Sequence, residues 1–129
     1  MIVADASAVL EVLLNSPAAA EIARHLFADG ESIHVPHLID IEVLQVLRRQ
    51  ARSDMSSVRA EKALLVYAGM DLNRYSHAIL APRIWELRHN WTAYDAAYIA
   101  LAEALDAPLI TRDRALVSSS GHRARVLVL

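Results

Sequence analysis

TAYDAAYIALAEALDAPLITRD, residues 92–113, holds a helix, a stop and a strand in that order. Tyr94, Ala97, Tyr98, Leu101 and Leu105 recur at helical spacing over 92–105. Asp106-Ala107-Pro108 halts the run, and Leu109, Ile110 and Thr111 form an apolar stretch short enough to read as a buried strand. The same alternation extends in both directions. Residues 1–4 predict a first strand, halted by Asp5. Ser7 is placed to cap a helix over 8–14, which Asn15-Ser16-Pro17 breaks. Pro17 then opens a second helix to about residue 28, with Ile22, Leu26 and Phe27 inward and Asp29-Gly30 closing it.

Residues 32–35 predict a second strand, ended by Pro36. The helix after it, about 37–51, has an expected inner face of Leu38, Ile41, Leu44 or Gln45, and Leu47 or Arg48. Past a loop at Ser53-Asp54, Ser56 or Ser57 caps a helix to Ala68 that carries Ala60, Leu64 and Tyr67, with Gly69 as terminator. Residues 71–75 are polar and weakly determined. A helix over about 76–89 follows, and beyond the opening stretch come a short helix at 113–118, a turn at 119–121 and a last apolar strand at 126–129. Short apolar strands alternating with helices predict an α/β domain, a parallel sheet covered by helices on both faces. No repeat, low-complexity tract or linker divides the chain, so residues 1–129 are read as a single domain.

Composition narrows the function. The 129 residues are 55% hydrophobic and 22% charged, enough for a core without staples, and they include no cysteine. Disulfide frameworks, thiolate metal sites and cysteine nucleophiles are therefore excluded, and a cytoplasmic location is expected. No apolar run reaches the roughly 18 residues of a membrane span, and Asp5 with no basic lead argues against a signal peptide. The formal net charge of −2 argues against a simple basic duplex-binding module. With four acids committed to metal, however, the remainder is mildly basic. Twelve of the thirteen bases are Arg, which suits bidentate contact with phosphate or carboxylate, although a GC-rich coding bias gives the same ratio.

Four acids interrupt segments too apolar to be surface: Asp5, Glu42, Asp95 and Asp113. Each has a plain structural reading. Asp5 and Asp113 can cap helices, Glu42 can be a surface residue, and Asp95 stands at capping-box spacing from Thr92. Asp40, nearer the start of its helix, is explained by the helix dipole. Taken together, the four put one acid after each of two strands and one in an early turn of each of two helices. In open parallel sheets, that is where sites form. Clustered carboxylates repel unless cations neutralise them, and all-oxygen ligation suits Mg²⁺ or Mn²⁺. The six His residues are scattered, without zinc-site spacing. Such a cluster points to phosphodiester hydrolysis by metal-activated water. Gly30, Gly69 and Gly121 are isolated, so there is no phosphate loop, and there is no G-x-S-x-G elbow.

These residues resemble the PIN-domain ribonucleases, and within them the VapC-type toxins of toxin–antitoxin pairs. The resemblance is carried by residues 3–8 (VADASA), Glu42, residues 92–103 (TAYDAAYIALAE) and residues 108–113 (PLITRD), and element order matches from end to end. It implies a PIN-like three-layer sandwich, a Mg²⁺- or Mn²⁺-dependent endoribonuclease, a homodimer, and a cognate VapB-type antitoxin that inhibits in a higher hetero-oligomer. Asp5, Glu42, Asp95 and Asp113 take the places of the family's four acids, and Ser7 and Thr111 match its supporting hydroxyls. Leu116 stands where some relatives have a fifth acid. Arg112 and Arg114 are candidates for RNA phosphate. Ile39, Val43 and Val46, off the expected stripe of their helix, and Leu65 and Val66 on the next are expected to offer an antitoxin groove. A processing nuclease without antitoxin and a silent binding module are the alternatives; metal-dependent cleavage separates the latter from both enzymes.

Overall fold

In the computed structural model, which describes residues 1–53, 55–118 and 120–129, five parallel strands form one sheet in the order β3-β2-β1-β4-β5. The elements in chain order are β1 (Ile2–Ala4), α1 (Ala6–Leu13), α2 (Ala19–Leu26), β2 (Ile33–Pro36), α3 (Ile39–Arg52) and α4 (Ser57–Ala68). They continue with β3 (Leu72–Tyr75), α5 (His77–Glu86), α6 (Ala93–Leu105), β4 (Leu109–Thr111), α7 (Ala115–Ser118) and β5 (Val126–Val128). The chain steps from β1 through β2 to β3, then crosses back to β4 and β5. Since parallel crossovers are right-handed, α1–α4 cover one face and α5–α6 the other. The helix contacts agree: α1, α2, α3 and α4 pack on one another, and α5 packs on α6. This three-layer arrangement is the one the sequence predicts. It puts the reversal of strand order between β1 and β4, which register Val3 with Leu109 and Ala4 with Ile110.

Burial explains the strand patterns. β1 and β4 have helices on both faces, so Val3, Ala4, Leu109 and Ile110 are wholly buried and no alternation shows. β3 is an edge strand in which only Leu72 is buried while Asn73 and Arg74 face solvent, and so residues 71–75 read as polar and undetermined. Arg74 does structural work there: its guanidinium grips Asp40 of α3 at 3.0–3.1 Å, and Tyr67 of α4 donates to the same carboxylate at 2.5 Å.

Several local expectations are corrected. Asp5, not Ser7, caps α1. Pro17 lies in a turn two residues before α2, because Asn15 enters the left-handed region (φ 50°) and delays the new helix. Phe27 points outward, 52% exposed. The inner face of α3 is Ile39, Val43 and Leu47, with Val46 half-buried, whereas Ile41 and Leu44 are exposed. The helix begins later than expected, and both stripes are apolar, so periodicity alone could not choose between them. On α4, Ala63 and Tyr67 are buried and Leu64, Leu65 and Val66 exposed. Tyr94 is 65% exposed, although it shares the spacing of buried Ala97, Tyr98 and Leu101. The expected loop at Ser53-Asp54 and the turn at 119–121 include Asp54 and Ser119, which lie outside the described residues.

Candidate active site

Asp5 follows β1 directly and begins α1 from an extended conformation, its carboxyl folded back onto the helix start. Oδ1 accepts the Ala8 N–H at 2.9 Å and the Ser7 hydroxyl at 2.6 Å, while Oδ2 accepts the Thr111 hydroxyl at 2.5 Å. Thr111 is the last residue of β4, fully buried beside β1. Both hydroxyls are themselves oriented: Ser7 Oγ accepts the Arg112 N–H and Thr111 Oγ1 accepts the Asp113 N–H, each at 2.9 Å. Two backbone donors just past β4 are thus relayed through hydroxyls onto one carboxylate across the switch point. Even so, burial outweighs this solvation and raises the Asp5 carboxyl above its ordinary value, and the negative charge of Asp95 adds to the rise.

Glu42 projects from the first turn of α3, half-buried, and Oε2 accepts the Tyr98 hydroxyl of α6 at 2.5 Å. Burial also raises the Glu42 carboxyl, the Tyr98 bond opposes the rise, and repulsion from Asp5 and Asp95 adds to it. The tyrosine, buried and tied to a carboxylate, is pushed far above the usual phenol range. Asp95 forms a reciprocal cap with Thr92: its N–H donates to Thr92 Oγ1 at 3.2 Å, and the threonine hydroxyl donates to Oδ2 at 3.1 Å.

Asp5, Glu42 and Asp95 therefore come within electrostatic reach of one another from β1, α3 and α6. Asp113 does not join them in the same way. Its backbone feeds the Thr111 relay, but its carboxylate turns to accept the Ala115 N–H at 2.8 Å at the start of α7. Among the described residues, no three His, Asp or Glu side chains are gathered closely enough to hold a metal ion as they stand. In Asp5 and Asp95 the capping residue and the candidate site residue are the same. Leu116, at the place of a possible fifth acid, is a core residue 1% exposed.

The arginine candidates differ. Arg112 is engaged, its guanidinium 3.5 Å from Glu11 and donating to the Leu129 carbonyl. Arg114 is exposed at a shallow cavity with Val117, Ser118 and Val128. Sequence reasoning placed Tyr98 only on the apolar face of its helix. The available signal was that a tyrosine buried three residues after Asp95 needs a partner for its hydroxyl.

Comparison with known proteins places this geometry in context. The family described as PIN domain matches residues 2–118. The chain is 42% identical to ribonuclease VapC9 of Mycobacterium tuberculosis over all of this chain and 98% of that one. Among solved structures, PAE2754 from Pyrobaculum aerophilum superposes with a TM-score of 0.72 at 20% identity, covering 97% of this chain and 81% of that one. VapBC2 from Rickettsia felis, bound to a DNA fragment from its promoter, gives 0.66 at 16% identity over 88% and 89%. At these identities the two structures bear on fold alone.

Proposed function

Because this chain belongs to the PIN-domain family, with VapC ribonucleases as full-length relatives, we propose that it is the endoribonuclease toxin of a toxin–antitoxin pair, cutting RNA beside Asp5, Glu42, Asp95 and Asp113. The observation that carries the reading is the Asp5 carboxylate, buried at the switch point, fixed by Ser7, Thr111 and the Ala8 N–H, and sharing its field with Glu42 and Asp95. Carboxylates raised by burial and mutual repulsion in an all-oxygen set suit a divalent cation, Mg²⁺ or Mn²⁺. Asp5, Glu42 and Asp95, not gathered closely enough as they stand, would have to draw together to hold it, and Asp113 stands next to the hydroxyl relay. When bound, the cation supplies a nucleophilic water and neutralises charge on the phosphate.

The chain's own residues set the geometry. Ser7 and Thr111 orient both Asp5 oxygens, Tyr98 aims Glu42, and Thr92 holds Asp95 at the mouth of α6. With Arg112 engaged, exposed Arg114 is the better candidate for RNA phosphate. The rest of the proposal is a single domain over 1–129, working in the cytoplasm as a homodimer and held inactive by a VapB-type antitoxin in a larger hetero-oligomer. No described helix is long and apolar enough to cross a membrane. Of the residues expected to offer an antitoxin groove, Ile39 and Val43 are buried in the core while Leu65 and Val66 are exposed, and the proposed groove moves to Leu44, Leu47 and Leu64 between α3 and α4.

The test is cleavage of single-stranded RNA by the purified chain with Mg²⁺ or Mn²⁺, then with chelator, then with metal restored. Cleavage that appears, stops and returns supports the reading. Chelator-resistant cleavage removes the metal, and no cleavage under any condition removes the enzyme.

A further inference from the structure

A cavity of about 500 Å³ opens directly beside the carboxylates. Leu10, Ile41, Val46 and Tyr94 give it apolar walls, while Ser7 and Glu42 belong to both the cavity and the acidic site. At its mouth Ile41 is 69% and Tyr94 65% exposed, two large apolar side chains left open to solvent. Tyr94 immediately precedes Asp95, so its ring is tied to the position of that carboxylate. Gln45 also lines the cavity, and its side chain brings one donor group and one acceptor to an otherwise apolar site.

We propose that this cavity is a base-binding subsite: one unpaired nucleobase of single-stranded RNA, next to the phosphate being cut at the site of Asp5, Glu42 and Asp95, enters it and stacks on Tyr94. The inference rests on the nuclease reading above and adds the place and the side chain that recognise a base. An RNA strand presents a charged backbone with flat, largely apolar bases beside it. An acidic site that would meet the phosphate through a bound cation, joined to an apolar cavity with an aromatic wall, matches both parts at once. Bases in a duplex are already stacked and cannot enter, so the cavity selects unpaired segments. A separate apolar groove, lined by Leu44, Leu47 and Leu64 between α3 and α4, is the surface proposed above for the antitoxin. The cavity at Tyr94 is instead continuous with the carboxylates.

The probe is a randomised pool of single-stranded RNA, cut by the wild type, Tyr94→Ala and Tyr94→Phe, with sequencing of the new ends. Stacking of a base on an aromatic side chain is worth about 1–3 kcal/mol on alanine substitution. Tyr94→Ala should therefore lower kcat/KM about tenfold or more, mainly through KM, and flatten the base preference at one position flanking the cut. Tyr94→Phe, which keeps the ring, should stay within about twofold. In an oligonucleotide of the best-cut sequence, an abasic nucleotide at that position should slow the wild type as much as the alanine variant and slow the variant no further. Tyr94 is exposed, so thermal melting should confirm that all three proteins are folded alike. Wild-type rate and preference in Tyr94→Ala, or an equal further loss from the abasic nucleotide in both proteins, overturns the subsite while leaving the nuclease intact. Unchanged cleavage with weakened hold on the small inhibitory partner assigns the cavity to that protein instead. A pool left uncut by the wild type removes the nuclease reading itself, and the subsite with it.

Discussion

Replacing Asp5 by asparagine separates its role as helix cap from the ligand role proposed for it. The amide keeps the carboxylate's shape, so its oxygen still accepts from the Ala8 N–H and the Ser7 hydroxyl. Its nitrogen replaces the oxygen that receives the Thr111 hydroxyl at 2.5 Å. Threonine can turn that hydroxyl and accept instead, so the loss is the difference between a charge-assisted and a neutral bond, about 1–2 kcal/mol. Against it stands the burial of a charge, which outweighs all three hydrogen bonds in setting the acidity of this group, together with repulsion from Asp95. The neutral isostere is therefore expected to melt at or above the wild-type temperature at pH 7 without metal, while cleavage is abolished because the ligand charge is gone.

Asp5→Ala provides the contrast. It deletes the helix cap, at about 0.5–2 kcal/mol, and strands the Ser7 and Thr111 hydroxyls, at about 1–3 kcal/mol more. Both variants remove the buried charge, so these losses set them apart: at roughly 3–4 °C per kcal/mol for a chain of this length, the alanine variant should melt about 5–10 °C below Asp5→Asn. Thermal melts followed by circular dichroism, paired with RNA cleavage, read both quantities. If Asp5→Asn melts as low as Asp5→Ala, or still cuts RNA, Asp5 is only a cap and the reasoning fails.

Metal-free stability should depend on pH in two opposed ways. Asp5 and Glu42 are raised, so their cost is fully present above the raised values and is relieved as pH falls from there toward the ordinary carboxylate range near 4. Glu31, Asp40 and Glu103 are lowered, so their contribution is present above that range and lost as pH falls through their lowered values. Melting temperature plotted against pH should peak on the mildly acidic side, and Glu42→Gln should flatten the neutral limb. Tyr98→Phe removes the hydroxyl that solvates Glu42, so the acidic limb of the pH–rate profile should move to higher pH; an unmoved limb would show that Glu42 does not titrate in the reaction. Arg74→Ala breaks the partly exposed Asp40 contact and should cost about 1 kcal/mol in urea unfolding with cleavage unchanged.

The sheet class, and the grouping of Asp5 with Asp95 near one end of the sheet, were legible because each depends on local contrast. Asp5 stands out against Ile2, Val3 and Ala4, and Asp95 against Ala96 and Ala97, since an ionisable group in an apolar run needs a reason. The burial of Ile39 and Val43 in place of Ile41 and Leu44 was not legible. Residues 38–47 are apolar on more than one stripe, and only the packing of α3 against α1 and α4 selects between them. β3 was hidden by its edge position, which exposes Asn73 and Arg74. Asp113 was placed by its position after a strand, but its carboxylate is drawn aside by the Ala115 N–H, a choice made by the local turn. Tyr98 was missed because its role depends on Glu42, 56 residues away, and no spacing within its own helix reports that contact.

The hydrogen bond between Thr111 and Asp5 joins positions 106 residues apart. Synthesis proceeds N-terminus first at roughly 5–20 residues per second, so the ribosome needs about 5–20 s after placing Asp5 to deliver the hydroxyl that completes it. Throughout that interval β1 has no β4 beside it, and the carboxylate lacks one of its three donors. A chain built this way arms itself late. The centre of the sheet works as a timer, and a messenger translated only in part yields fragments with the first acid but no finished cutting edge.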